Sequence, residues 1–133
     1  MQQQVADKVW IAGTPALWKS HATGAAQCPG CHYPLFERLL CEVIEELGIA
    51  GETVFISGVG CTARSFLVVD VDALFAPHGR APDLATAIKR ERPDLTVVTW
   101  QGDGDTMAIG AGSVINAAAR AEKFTVIMGN NAN

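Results

Sequence analysis

The sequence lacks the features that define several large classes of protein. No stretch approaches the roughly 18 consecutive apolar residues that a membrane-spanning helix requires. Residues 1–8 have neither the basic start nor the apolar centre of a secretory signal peptide. Positive charge is scarce, because 10 Lys and Arg stand against 14 Asp and Glu and leave a net charge of -4. We therefore expect a cytoplasmic protein that binds neither membrane nor nucleic acid.

Internal repeats and low-complexity tracts are also missing, and the remaining composition is that of a globular protein. The chain has 133 residues, of which 49% are hydrophobic and 18% charged, enough to build one domain with a buried core. Residues 1–27 show no sustained periodicity, so we expect an extended N-terminal arm that packs on something else, such as another subunit. Residues 28–133 are expected to form the folded domain.

Beyond the arm, helical and strand patterns alternate along the chain. Helices are expected at three places: 34–47, 83–92 and 106–122. Buried strands are expected at 53–57, 96–100 and 124–128, and residues 66–71 are apolar enough for another. This alternation predicts an α/β protein with an open, mainly parallel sheet and helices on both faces. The sequence stops in a loop where a further helix and strand would normally follow, so we expect a longer domain that is truncated at its C-terminus.

The first helix has the clearest pattern of the three. Its apolar residues recur at helical spacing: Leu35, Leu39, Leu40, Val43, Ile44 and Leu47. Cys41 falls on the side of the helix away from this stripe and is interpreted as an incidental small residue.

Two polar loops follow predicted strands that a single crossover connects. A Gly-Asp-Gly turn at 102–104 follows one strand, and an Asn-Asn pair at 130–131 follows the next. Because ligands of open parallel sheets bind at the carboxyl ends of the strands, Asp103 and Asn131 can approach a common point. Their oxygen atoms suit Mg²⁺, which completes its coordination with phosphate oxygens and water. The helix expected from Thr106 would direct free N–H groups towards the same anion.

Each of these loops alone could be an ordinary polar turn. Their pairing across one crossover, however, resembles the thiamine diphosphate motif, in which Gly-Asp-Gly is followed by Asn-Asn at a strand end. In that motif the Asp side chain, the second Asn side chain and the carbonyl group two residues later bind the metal. The resemblance therefore implies that Asp103, Asn131 and Asn133 bind Mg²⁺.

Three of the four cysteines have the pattern of metal ligands. Cys28 and Cys31 form a Cys-Pro-Gly-Cys turn, and Cys61 comes from a distant loop. Zinc would need a fourth ligand, which His32 or His78 could supply, whereas a [4Fe-4S] cluster in most proteins needs four thiolates. Three unrelated buried thiols are the remaining alternative.

Four motifs in this order resemble the β subunit of 2-oxoacid:ferredoxin oxidoreductases. They are Cys-Pro-Gly-Cys at 28–31, Ser-Gly-Val-Gly-Cys at 57–61, His-Gly-Arg-Ala at 78–81 and Gly-Asp-Gly-Asp at 102–105. The resemblance covers residues 28–133 and implies the thiamine diphosphate-binding fold. The cofactor contacts that it implies are Gly60, Cys61, His78, Gly79, Gly102, Asp103, Gly104, Asp105 and Asn131. It also implies a [4Fe-4S] cluster on Cys28, Cys31 and Cys61, with the fourth cysteine beyond the end of this sequence.

The same resemblance implies an activity that this chain shares with partners. A 2-oxoacid would be oxidatively decarboxylated with coenzyme A as acyl acceptor and ferredoxin as electron acceptor. No catalytic residue is expected here, because an α-type subunit would supply the Glu that activates the cofactor. The chain departs from the family at His32-Tyr33, where Gly-His is usual. Two alternatives stay open. One is a non-oxidative thiamine diphosphate enzyme such as a decarboxylase or synthase. The other is a zinc-stapled assembly subunit, in which a structural zinc ion links the cysteines and which has no catalytic activity of its own.

Overall fold

The computed structural model describes residues 13–19 and 27–132, and its centre is a parallel sheet. The four strands of this described region are β1 (Thr53–Ser57), β2 (Asp72–Phe75), β3 (Thr96–Gly102) and β4 (Thr125–Gly129). They are all parallel and lie in the order β2-β1-β3-β4. The α-helices are α1 (Tyr33–Leu47), α2 (Ala81–Glu91) and α3 (Ala111–Ala119). The predicted fold class, an open parallel sheet with helices on both faces, is confirmed.

Alternating side chains of the central strands build one core on each face of the sheet. Phe55 of β1 packs with Trp100 of β3 and with Cys41 of α1. Val54 and Ile56, whose side chains point the opposite way, belong to a second core with the residues of α2. All five residues of β1 are buried, which explains its uninterrupted run of β-branched and aromatic side chains.

The strand expected at 66–71 is the first departure from the predicted pattern. Residues Cys61–Leu67 instead form a 3₁₀ turn, and β2 begins later, at Asp72. Ser57 Oγ donates a hydrogen bond to the Thr62 carbonyl at 2.7 Å, which holds this turn against the end of β1. Apolar content alone could not distinguish a packed turn from a strand here.

The third helix is shorter than predicted and has an irregular beginning. Residues Gly104–Ile109 form a π-helical segment, and α3 ends at Ala119, three residues before Glu122. Gly110 separates the two, and a Cβ atom there would lie 2.5 Å from the carbonyl oxygen of Asp105 and 2.9 Å from that of Gly79. The close approach of the loop before α2 therefore interrupts a regular helix that would otherwise start at Thr106.

Helix α1 buries a different face from the one that its leucines mark. Its buried residues are Tyr33, Glu37, Cys41 and Ile44. Most of the predicted apolar stripe is exposed instead: Leu35, Leu39, Val43 and Leu47. Glu37 is accommodated inside because the Ser65 hydroxyl and the Gln27 amide donate hydrogen bonds to its carboxylate. Cys41 lies away from this exposed stripe, as its spacing predicts, but it is not an incidental residue, since its side chain is completely buried in the core.

The described part of the N-terminal arm contacts this chain itself. Trp18 forms an antiparallel bridge with Val69, and the N–H group of Lys19 donates to the Val68 carbonyl at 2.7 Å. The rest of the expected arm, residues 1–12 and 20–26, lies outside the described residues. Within the ranges that the structure covers, no helix is long and apolar enough to cross a membrane.

Candidate functional site

Two loops meet at the carboxyl edge of the sheet, beyond β3 and β4. Gly102 pairs in register with Gly129, so the residues that follow each of them start side by side. The backbone N–H of Asn131 donates a hydrogen bond to Asp103 Oδ1 at 3.3 Å. The structure thus brings Asp103 and Asn131 together, as the crossover between their strands predicts. Their assignment as metal ligands stays a prediction, and Asn133 lies outside the described residues.

The groups at this edge fit a hard cation that also binds phosphate. The side chains of Asp103 and Asn131 offer oxygen atoms, and Asp103 is half-buried while Asn131 is exposed. Gly104 adds no side chain next to them, which leaves the backbone accessible to a large anion. The donor set is therefore suited to Mg²⁺ with a diphosphate, and it contains no sulfur or imidazole that would favour a softer metal.

Asp105, two residues beyond Asp103, points into the protein instead of towards this edge. Its side chain is 1% exposed, and both carboxylate oxygens accept hydrogen bonds. The backbone N–H of Gly79 donates to Oδ1 at 2.7 Å, where His78 Nδ1 also lies within hydrogen-bond distance. The side-chain amide of Gln101 donates to Oδ2 at 2.6 Å. Asp105 therefore joins the loop after β2 to the end of β3.

The loop after β1 also reaches this carboxylate. A Cβ atom built on Gly58 would overlap with Asp105 Oδ2, so only glycine leaves room for the carboxylate there. Gly58 and Gln101 are absent from the site residues predicted from the sequence. The available signals were the glycine directly after a buried strand and the polar residue at the end of another, but neither signal indicates a shared partner.

Tyr33 occupies the place where the family usually has His. It contacts both the end of β4, which precedes the Asn130-Asn131 loop, and the cysteine turn. Its hydroxyl donates to the Gly129 carbonyl at 2.9 Å, and its ring meets Trp100 edge-on with centroids 5.2 Å apart. Its backbone N–H lies 3.5 Å from Cys31 Sγ. Burial raises the pKa of Tyr33, and the nearby negative charges of Cys61, Asp103 and Cys31, in their ionised forms, raise it further.

A buried hydrogen-bonded chain lies beneath Tyr33. The indole N–H of Trp100 donates to Ser65 Oγ at 2.8 Å, and Ser65 Oγ donates to Glu37. Burial raises the pKa of Glu37, although the hydrogen bonds from Ser65 and Gln27 act in the opposite direction. Gln27 also donates to the Cys61 carbonyl at 2.9 Å, which ties this buried chain to the cysteine loop.

The three predicted cluster ligands lie in one neighbourhood without forming a metal-binding group. Cys28 and Cys61 are exposed, Cys31 is half-buried, and all of them are free thiols. The residue before Cys28 contacts the backbone of Cys61, and the Cys31 sulfur lies against the backbone of Tyr33. In the described part of the chain, no three His, Cys, Asp or Glu residues are arranged to hold a metal ion. The cysteine ligand set therefore stays a prediction.

A parallel sheet with an acidic turn beside an Asn-Asn loop defines a class of cofactor-binding domain, and comparison with known families agrees. Residues 58–133 match the family described as thiamine pyrophosphate enzyme, C-terminal TPP binding domain. The match covers more than half of the chain and includes both loops at the carboxyl edge. The chain belongs to this family of thiamine pyrophosphate-binding domains.

Two individual relatives show which thiamine pyrophosphate enzymes this chain is similar to. The ketoisovalerate oxidoreductase subunit VorA of Methanothermobacter thermautotrophicus is 39% identical over 112 residues, which is 84% of this chain and 24% of that protein. The 2-oxoglutarate synthase subunit KorB of Archaeoglobus fulgidus is 31% identical over 131 residues, or 98% of this chain and 46% of the relative. The resemblance to the β subunits of 2-oxoacid:ferredoxin oxidoreductases is confirmed.

A solved structure gives the same result. The 2-oxoglutarate:ferredoxin oxidoreductase from Magnetococcus marinus, with 2-oxoglutarate, coenzyme A and succinyl-CoA bound, superposes with a TM-score of 0.81 and 33% sequence identity. The match covers 93% of this chain and 43% of the solved chain. The chain thus spans between about a quarter and about half of the length of the relatives that it matches.

Proposed function

We propose that this chain is the part of a 2-oxoacid:ferredoxin oxidoreductase β subunit that binds the diphosphate of thiamine diphosphate through Mg²⁺. The observation that carries this proposal is the contact between the Asn131 N–H and Asp103 Oδ1. The two residues are 28 positions apart in sequence, and this contact brings their oxygen-bearing loops together at one point of the sheet edge. Membership of the thiamine pyrophosphate-binding family supports the same ligand.

In this proposal the chain binds and orients the cofactor, and the cofactor performs the covalent chemistry. Thiamine diphosphate supplies the electron-accepting group through which a 2-oxoacid can lose CO₂. Asp103 and the side chain of Asn131, with the carbonyl of Asn133, would hold the metal against the diphosphate. The glycines at 60, 102 and 104 would let the backbone approach the diphosphate closely.

The surface next to this site supports a partner that completes it. Met107 and Ile109 of the π-helical segment are 53% and 52% exposed although they lie just beyond the Asp103 turn. Exposed apolar side chains next to a ligand site are compatible with a contact to another protein surface. We propose that an α-type subunit covers them and supplies the Glu that activates the cofactor.

The proposed electron route and acyl acceptor are supported by the relatives. Cys28, Cys31 and Cys61 are thiols in one neighbourhood, and thiolates are the ligands of iron–sulfur clusters. Relatives are named as ferredoxin oxidoreductases, and the similar solved structure holds coenzyme A. We therefore propose oxidative decarboxylation with a [4Fe-4S] cluster, ferredoxin and coenzyme A over the non-oxidative and zinc-stapled alternatives.

The metal site is tested by replacing its acidic ligand in the full-length protein purified with its partner subunit. Asp103→Ala should abolish Mg²⁺-dependent binding of thiamine diphosphate, measured by isothermal titration calorimetry. Asp72→Ala is the matched control, because Asp72 begins β2 at the opposite, amino-terminal end of the parallel strands. Equal cofactor affinity in the two variants would show that Asp103 does not bind the metal.

A further inference from the structure

Asp105 lies inside the predicted cofactor site but has no free oxygen with which to bind the cofactor. Oδ2 accepts from Gln101, and Oδ1 faces both the Gly79 N–H and His78 Nδ1. Its carboxylate is almost completely buried, whereas the His78 side chain is 40% exposed. The histidine is therefore the member of this pair that can reach a ligand, and the aspartate is the member that is held in place.

We propose that Asp105 is a positioning residue that holds His78 by Nδ1 and thereby presents Nε2 to the cofactor site. This inference deepens the proposed function and rests on it, since the ligand to which Nε2 would be presented is the proposed thiamine diphosphate. It assigns Asp105 an indirect role, in place of the direct cofactor contact that the family resemblance implies. His78 is the residue that touches the ligand.

The hydrogen bond between Asp105 and His78 Nδ1 determines which nitrogen of the neutral imidazole carries the proton. A neutral imidazole carries its proton on only one nitrogen, and the hydrogen bond made by one nitrogen determines the state of the other. A carboxylate can only accept, so a neutral His78 must carry its proton on Nδ1. Nε2 is then left as a hydrogen-bond acceptor, and no described residue occupies it with a hydrogen bond. In other carboxylate–histidine pairs the carboxylate likewise holds the imidazole in one tautomer and one orientation.

The surroundings of Asp105 prevent the carboxylate from turning away. Gly58 approaches Oδ2 so closely that even a methyl group would not fit between them. The Gly79 N–H fixes Oδ1, and Gly79 is adjacent to His78 in sequence, so the backbone and side chain of one loop meet the same oxygen atom. Three loops at the sheet edge thus fix the direction of a single hydrogen bond to His78.

The tautomer can be observed without any cofactor or substrate. Isotope-labelled histidine nitrogens in the full-length protein and its partner give solid-state NMR shifts that distinguish a protonated Nδ1 from a protonated Nε2. The His78→Gln variant identifies the His78 signals by their loss. We expect a protonated Nδ1 in the wild-type protein and in Asp105→Asn, and a predominantly protonated Nε2 in Asp105→Ala. A wild-type protein with its proton on Nε2 would overturn the proposal even if no Asp105 variant folds.

Asp105→Asn is the conservative variant, because the structure offers its side-chain amide a new partner. The Oδ1 atom of the amide can still accept from Gly79 and His78. Its Nδ2 group would meet Gln101, whose Oε1 is buried and has no partner among the described residues. A rotation of the Gln101 amide would let Oε1 accept a hydrogen bond from this Nδ2 group. The hydrogen bond to His78 is thereby kept while the negative charge is removed.

Steady-state kinetics of the complete enzyme provide the second readout. We expect Asp105→Ala to lower kcat by about a hundredfold and Asp105→Asn by about tenfold or less, with KM for the 2-oxoacid and affinity for thiamine diphosphate nearly unchanged. In a His78→Gln background, Asp105→Ala should add almost nothing, because its effect acts through the histidine. Equal losses with and without His78 would overturn the positioning role. Weaker cofactor binding in Asp105→Asn would instead indicate direct ligation.

The two proposals can fail separately. If the wild-type protein does not bind thiamine diphosphate, the proposed function is wrong, yet the tautomer of His78 and its dependence on Asp105 can still be read. If the cofactor binds but His78 carries its proton on Nε2, only the positioning role is wrong.

Discussion

The hydroxyl group of Tyr33 donates a hydrogen bond to the carbonyl oxygen of Gly129 over 2.9 Å. Gly129 is the last residue of β4 and directly precedes the Asn130-Asn131 loop, while Tyr33 follows the Cys28–Cys31 turn by two residues. A Cβ atom on Gly129 would lie 2.8 Å from the tyrosine ring, so the strand end and the ring are in close contact. One side chain therefore connects the cysteine turn to the loop that is proposed to bind Mg²⁺.

Removing this hydroxyl should weaken the metal site without changing the packing of the ring. Tyr33→Phe deletes the donor to Gly129 and leaves a buried carbonyl oxygen without that partner, which costs about 1 kcal/mol. If the cost falls on the Asn131 loop, affinity for Mg²⁺ and thiamine diphosphate drops by up to about fivefold. Calorimetric titration of the full complex measures this change. Phe36→Leu is the control, because Phe36 also packs near Trp100 but has no hydroxyl group to donate to Gly129. Identical stability and affinity in Tyr33→Phe and the wild type would contradict the role of the hydroxyl.

Replacing Gly58 should disturb the site more than replacing an exposed glycine. In Gly58→Ala the new methyl group would overlap with the buried Asp105 carboxylate, so either β1 or the carboxylate must move. Overpacking of this kind costs about 1–3 kcal/mol. Gly112→Ala is the matched change, since nothing lies within 4 Å of its Cβ position in α3. We expect this control to stabilise the protein by roughly 0.5–1 kcal/mol. Chemical denaturation should separate the two variants, and equal stabilities would show that Gly58 tolerates a side chain.

The proximity of Asp103 and Asn131 was predictable because it depends on topology. One crossover joins the paired parallel strands β3 and β4, which brings the Asp103 and Asn131 loops to the same edge, whatever the side-chain packing. The contacts that converge on the Asp105 carboxylate were not predictable in the same way. It depends on how closely three separate loops approach one another, and sequence spacing does not contain the distance between Gly58 and Asp105.

The orientation of α1 illustrates a second limit. Periodicity predicts this helix at 34–47 with Gly48 after its end, and the structure has it at Tyr33–Leu47 with φ of 68° at Gly48. It cannot show which of two faces meets the sheet when both contain apolar residues. The face with Glu37 and Cys41 is buried because Ser65 and Gln27 satisfy the carboxylate from other elements. Such long-range partners are invisible in the local pattern.

Glu37 should make stability depend on pH. Burial raises the pKa of Glu37 in the folded protein, so the folded state holds this proton more tightly than the unfolded state does. The stabilising contribution is therefore fully present below the unfolded pKa and is lost as pH rises through the raised folded value. Glu37→Gln mimics the protonated form and keeps an oxygen acceptor for Ser65. Relative to this variant, the wild type should lose stability as the pH rises from the ordinary range of a carboxyl group through the raised pKa of folded Glu37.

Thermal unfolding across this range provides the measurement. Glu46→Gln is the control, because Glu46 lies on the same helix but is exposed to solvent. Its midpoints should follow those of the wild type at every pH. A constant difference between the wild type and Glu37→Gln would show that Glu37 titrates alike in the folded and unfolded states.

The cysteines provide an internal control for the proposed cluster. Burial raises the pKa of Cys41 to about 12, so this thiol stays protonated at neutral pH and is unsuited to bind metal as a thiolate. Cys61 is exposed and belongs to the proposed ligand set. After anoxic purification of the complex, Cys61→Ala should lose most of the iron and acid-labile sulfide, whereas Cys41→Ala should retain both and lose about 1–3 kcal/mol of stability from the cavity. Zinc without sulfide in the wild type would favour the zinc-stapled alternative, and neither metal would favour a non-oxidative enzyme. Only iron and sulfide that depend on Cys61 and not on Cys41 agree with electron transfer through these cysteines.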